Sequence, residues 1–163
     1  MSLHEILLCR DQRANLQERY RNEYKLPVIS FCMNIPGPIK TTIEIRKLYE
    51  EGYCEILNTL SRNGLRVMAE STLHEKTGDE SELSIEGSSQ NIKELMMNIE
   101  NSHPLGRLFD IDVIDENGVK VARPHFRTCL ICSEEAKACA CSRRHSVSEM
   151  QKKIDRMLSE YFY

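Results

Sequence analysis

Leu108-Phe109-Asp110-Ile111-Asp112-Val113-Ile114 alternates apolar and acidic side chains. A strand repeats every two residues, so Phe109, Ile111 and Val113 point to a core and Asp110 and Asp112 share the other face. Asp is depleted in strands, and two at this spacing need a reason. Neighbouring carboxylates repel, so such a pair is solvated, shares a proton or is neutralised by a cation. Mg²⁺ takes one or two carboxylates together with substrate phosphates. In phosphoryl and nucleotidyl transfer that arrangement polarises the attacked phosphate and stabilises the leaving pyrophosphate. A polar strand face open to water is the plainer alternative.

Outward from this strand, Asp115-Glu116-Asn117-Gly118 is a hairpin-turn signal, and Val119-Lys120-Val121-Ala122 returns. On the other side, His103-Pro104-Leu105-Gly106-Arg107 leads in. Gly106 would let backbone approach a ligand, and Arg107 can fork onto a phosphate. Arg123, Arg127, Arg143 and Arg144 lie beyond. Any one of them alone suits a surface salt bridge; as a set beside two carboxylates they suit a triphosphate-like substrate.

The remaining chain supplies the partners of that strand. Residues 3–24 have helical spacing with Ser2 as N-cap, and Pro27 ends the segment. Residues 28–33 form a short apolar strand, followed by a fixed loop through Pro36-Gly37-Pro38. A second helix covers 41–62, capped by Thr41-Thr42 and stopped at Gly64. Residues 65–74 and 82–87 alternate as a hairpin around a turn at 76–80. Six acids from Glu70 to Glu86 read as a solvated face. Helices over 90–101 and 147–162 follow, the last capped by Ser146. The expectation is an α+β fold with a mixed, mostly antiparallel sheet and flanking helices. One domain spans 1–163, with a Cys-rich basic C-terminal segment from 123 to 163.

Composition narrows the function. The 163 residues suit one domain, and 40% hydrophobic with 29% charged residues excludes wholesale disorder. No Trp and 6% aromatics make a single-strand nucleic-acid surface a poor fit, so no nucleic-acid partner is expected. The net charge of −3 hides a split: residues 1–118 carry 13 basic and 20 acidic side chains, and residues 119–163 carry 9 and 5. A basic end on an acidic body anticipates an anionic partner. No apolar run is long enough for a membrane helix or signal core, which points to the cytoplasm and to no membrane partner.

Seven cysteines, an odd number, argue against a disulfide framework. Cys9, Cys32 and Cys54 read as core packing. Cys129-x2-Cys132 can grip one tetrahedral Zn²⁺, with a third thiolate from Cys139 or Cys141 and His145 as fourth ligand. The six residues between Cys132 and Cys139 are tighter than in common zinc fingers. Buried free thiols and a redox pair are the alternatives. No hydrolase triad, phosphate-binding loop or dinucleotide fingerprint is present. The Gly87-Ser88 step between strand and helix is a two-residue echo of a nucleotidyltransferase phosphate turn.

Three segments together resemble one family: Ser30-Phe31-Cys32-Met33-Asn34-Ile35-Pro36-Gly37-Pro38-Ile39-Lys40, the stretch from His103 to Asp115, and Arg127 to Cys132 with Cys139 to Ser146. They are similar to the citrate lyase holo-acyl-carrier-protein synthases, also called apo-citrate lyase phosphoribosyl-dephospho-CoA transferases. The resemblance implies a nucleotidyltransferase-like fold. The implied reaction moves phosphoribosyl-dephospho-CoA from its triphosphoribosyl precursor to a serine of the citrate lyase acyl carrier protein, the gamma subunit, and releases pyrophosphate. On this chain the family's Asp-x-Asp falls on Asp110 and Asp112 as Mg²⁺ ligands, and its Gly-Arg on Gly106 and Arg107. Arg123, Arg127, Arg143 and Arg144, with Asn34 and Lys40 of the first segment, become candidate substrate contacts. Its cysteines fall on Cys129, Cys132 and Cys139. His145 is the family's terminal His, a base for the carrier serine unless it binds Zn²⁺. Cys141 departs from the pattern, which tends to Arg there, and leaves the ligand set open. A third metal-binding acid is sought in Glu70 or Glu86. The alternative function is a non-catalytic, zinc-stabilised adaptor that binds an acyl carrier protein.

Overall fold

Val28–Met33 (β1) is the strand around which the others assemble, its first four residues buried. The computed structural model describes residues 3–163. Helix α1 (Leu3–Tyr24) precedes β1, and α2 (Ile43–Arg62), β2 (Arg66–Glu75), β3 (Gly78–Glu86), α3 (Ser89–Ser102) and β4 (Phe109–Ile114) follow. Two helices close the chain: α4 (Ala136–Ser142) and α5 (Val147–Phe162). The sheet order is β2-β3-β1-β4, and every pairing is antiparallel. The fold is therefore α+β as expected, without a parallel pair among the described residues. No helix among the described residues is long and apolar enough to cross a membrane.

The two-residue period of β4 is realised: Phe109, Ile111 and Val113 are buried and Asp110 and Asp112 are half-exposed. The apolar face of the sheet packs against α2 and α3. There Phe31 stacks on Tyr49 at 5.0 Å and meets Phe109 edge-on at 5.7 Å. Gly52 of α2 makes room, since a Cβ would sit 2.8 Å from the Phe31 ring. The other face carries polar side chains and lies under α1. α2 starts at its Thr42 cap, and α5 starts at Ser146 with a complete capping box to Glu149. The Ser2 cap lies outside the described residues.

Four local expectations change. The turn between β2 and β3 is shorter, because β3 already begins at Gly78, whose φ of +121° suits glycine. Asp79, Glu80 and Glu82 are buried rather than solvated, since β3 is an interior strand with helices over both faces. The 119–122 limb makes one bridge, Ile114 to Lys120, instead of a strand; Pro124 has no N–H, and Arg123 turns inward to Glu100. None of Cys9, Cys32 and Cys54 is core: the first two are half-buried on the polar face and Cys54 is exposed.

Candidate functional site

Strand register assembles the polar face. Asp112 is level with Ser30, and Ser30 with Glu82; Asp110 is level with Cys32, and Cys32 with Glu80. Two rows of polar side chains therefore cross three strands. Helix α1 lies over them and adds Arg10 and Arg13, spaced by one turn. Arg13 pairs with Glu80 at 2.9 Å, and Cys9 Sγ donates to the same carboxylate. On one side of α1 a cavity of about 340 Å³ is bounded by Arg10, Arg13, Asn34, Lys40 and Asp110. On the other, a cavity of about 380 Å³ is bounded by Arg10, Arg13, Ser30, Asp112 and Lys120. Each aspartate thus opens on a space that also holds cationic side chains.

Electrostatics differ sharply across this face. Asp112 holds Lys120 at 2.5 Å, and Arg127 stands 3.9 Å from Asp110. Burial, reinforced by Asp110, pushes the Cys32 thiol up to about 12, so it is neutral. Burial also raises the Glu82 carboxyl to about 8, against Ser30, Gln17 and Arg13, which favour its anion. Ser30 donates a 2.6 Å hydrogen bond to Glu82 Oε1, while the buried Oε2 has no hydrogen-bond partner by distance and angle among the described residues. Glu80, Glu82, Arg10 and Arg13 were not candidates from sequence. Their signals were an i, i+2 acid pair like that of β4 and an i, i+3 arginine pair on a helix.

The other expected contacts divide. Lys40 borders the Asp110 cavity, with its ammonium on the Ile35 carbonyl. The Asn34 N–H donates to Leu108 O at 2.8 Å and pins the loop after β1 to the start of β4. Arg107 donates from Nε to Thr128 O at 2.7 Å. Arg123 and Arg127 both reach the buried Glu100, whose Oε1 also accepts from the Ile111 N–H. Arg127 further donates to the Gly106 and Arg107 carbonyls. These two arginines therefore neutralise an interior carboxylate, and only Arg127 extends toward Asp110. Gly106 is explained by packing rather than by a ligand: a Cβ there would lie 2.3 Å from Glu100 O. Arg143 and Arg144 are exposed and border neither aspartate cavity. Arg143 is the left-handed C-cap of α4, at φ 49°.

Glu70 accepts from Tyr53 of α2 on the opposite face, and Glu86 pairs with Arg66 at the end of β3. Neither joins the aspartates as a third acid. Gly87 packs against Leu65, whose Cδ2 a Cβ would approach to 2.8 Å.

A second centre forms beyond β4. A bridge between Thr128 and Glu135, with the Cys129 N–H on Glu134 O, closes a tight loop that carries Cys129 and Cys132. α4, unmarked by any apolar stripe, brings Cys139. The ligand atoms of Cys129, Cys132, Cys139 and His145 lie within 4.8 Å of one another. Cys132 Sγ is 3.5 Å from Cys139 Sγ and 3.3 Å from His145 Nε2. Burial would raise the Cys129 thiol, but N–H groups of Cys132 and Ile131 and the neighbouring thiols outweigh it and bring it down to about 7. The choice between Cys139 and Cys141 falls to Cys139, because Cys141 is exposed outside the group. Three thiols and an imidazole converging on one point form a candidate metal centre.

A model of the family described as apo-citrate lyase phosphoribosyl-dephospho-CoA transferase matches residues 1–161. A Vibrio cholerae serotype O1 protein named a probable apo-citrate lyase phosphoribosyl-dephospho-CoA transferase is 37% identical over 166 residues, covering 99% of this chain and 93% of the relative. A Citrobacter koseri transferase of that name is 32% identical, covering 98% and 90%. An Escherichia coli O139:H28 counterpart is 29% identical over the same shares.

Proposed function

The chain belongs to the apo-citrate lyase phosphoribosyl-dephospho-CoA transferase family, and from that premise we propose that it attaches the phosphoribosyl-dephospho-CoA group to apo-citrate lyase by nucleotidyl transfer. The acceptor is a serine of the acyl carrier (gamma) subunit and the donor is triphosphoribosyl-dephospho-CoA. The serine oxygen gives up its hydroxyl proton to solvent and bonds to the phosphorus nearest the ribose, the bond to the next phosphate breaks, and pyrophosphate leaves. The whole chain acts as one nucleotidyltransferase-like domain, and its place of action is the cytoplasm.

One observation carries this reading: two half-exposed carboxylates, Asp110 and Asp112, share a sheet face with Arg10, Arg13, Lys40 and Lys120 around them. Their oxygen donors suit Mg²⁺, and Asp112 already pairs with the Lys120 ammonium. When bound there, Mg²⁺ supplies neutralisation of the polyphosphate charge. Arg10, Arg13 and Lys40 supply fixed positive charge for the triphosphate, at sites the fold sets before substrate arrives. His145 belongs to the thiol cluster in this scheme rather than serving as base. That cluster suits Zn²⁺ as a closed, four-ligand structural site.

A transfer assay tests the function. Labelled triphosphoribosyl-dephospho-CoA and apo-citrate lyase should give a labelled carrier and one pyrophosphate per group transferred. Asp110→Asn and Asp112→Asn should each slow transfer by about a hundredfold or more. Full activity in either variant removes the carboxylates from the reaction. Carrier binding without pyrophosphate release would favour the adaptor instead.

A further inference from the structure

A cavity of about 730 Å³ lies between the loop after β1, the thiol loop, α4 and the start of α5. It has more than twice the volume of the space beside Asp110, at about 340 Å³. Its floor is apolar, with Leu130, Ala136, Val147 and Met150. Arg107, Lys137 and Arg143 line it as well, beside Cys129, Cys139 and His145 of the thiol centre, and no carboxylate does among the described residues. Its wall is set by close packing: a Cβ on Gly37, which has φ +86°, would meet Val147 at 2.8 Å. Asn34 belongs both to this cavity and to the one that holds Asp110.

Bare phosphates need cations but no apolar floor, and an apolar segment alone needs no cations. A ligand that fits both carries an uncharged, flexible arm joined to an anionic group. The proposed donor has that form, a pantetheine arm on an adenosine diphosphate. Resting on the transferase function proposed above, we infer that this cavity is the subsite for the pantetheine arm. Arg107, Lys137 and Arg143 meet the diphosphate at its mouth, and Asn34 marks the passage from the arm to the triphosphate end at Asp110. This subsite also gives Arg143 a role that the aspartate face does not.

Calorimetric titration with dephospho-CoA and with ADP tests the subsite, because the two share the adenosine diphosphate and differ by the arm. The intact chain should bind dephospho-CoA about tenfold or more tighter than ADP. Val147→Trp and Ala136→Trp fill the cavity from two separate elements, and each is checked for retained helix content by circular dichroism. Either one should bring the two ligands within about threefold of each other while the ADP affinity stays as it was. A folded variant that keeps the full preference overturns the inference. So does an intact chain that labels the carrier but binds the two ligands equally, and in that case the transferase function stands. An intact chain that neither labels the carrier nor binds dephospho-CoA overturns both.

Discussion

Lys120 Nζ lies 2.5 Å from Asp112 Oδ2, so the chain's own hairpin places a cation on one of the two carboxylates proposed to hold Mg²⁺. The lysine side chain is 63% exposed, and a pair this open contributes little to stability. Its effect falls on the metal, with which it competes for the same oxygen. Lys120→Ala should leave the urea midpoint nearly unchanged and lower the half-saturating Mg²⁺ concentration for transfer by about three- to tenfold. A magnesium titration identical to that of the parent would show that Asp112 does not bind the ion.

The arginines separate by burial. The Glu100 side chain is 2% exposed, and Arg123 and Arg127 reach it with side chains 23% and 18% exposed. Stranding a buried charge costs about 3–5 kcal/mol, and with Arg127 still 3.7 Å from Glu100 the loss of Arg123 costs part of that. Arg123→Ala should therefore unfold at clearly lower urea. Arg143→Ala, at an exposed position, should stay within about 0.5 kcal/mol of the parent. Equal midpoints for the two variants would show that Glu100 does not depend on Arg123.

What could be read before the structure follows from how local each cause is. The alternation at 108–114 fixes which side chains face together, and the fold obeys it. The same period was present at Glu80 and Glu82, but whether an acid strand faces water depends on its place in the sheet order, which no local pattern carries. β3 turned out to be interior, so its acids are buried. Gly106 is a similar case: a glycine beside Arg107 suggested a ligand, and only the fold brings Glu100 O against it. The thiol cluster was legible because its ligands are close in sequence, whereas α1 crosses to β3 from some seventy residues away, as Cys9 and Arg13 do to reach Glu80.

Glu82 gives the chain a distinct pH dependence. Burial raises its folded carboxyl to about 8 from an ordinary 4.5. Between those values the folded state holds a proton that the unfolded state has released, so stability falls as pH rises through this window. Glu82→Gln keeps an acceptor for Ser30 and removes the titration. It should match the parent near pH 4.5 and exceed it increasingly toward pH 8, by on the order of a few kcal/mol. Urea unfolding at several pH values reads this directly, and parallel curves for the two proteins would mean that Glu82 is ionised in the fold.

The thiol centre makes the sharpest distinction between neighbours. Cys139 is buried and its Sγ is 3.5 Å from that of Cys132, while Cys141, two residues on, is exposed and outside the group. Purified protein should contain about one zinc per chain by elemental analysis. Cys139→Ser should lose most of it, and Cys141→Ser should keep it. Because ligand binding by residues spread over the 129–145 segment is coupled to its folding, strong chelation should also loosen that segment, seen as faster amide exchange at Cys129 to Arg144 with the β1–β4 sheet unchanged. Zinc well below one per chain in the parent would sink the assignment, and loss of zinc from both variants alike would move the third thiolate away from Cys139.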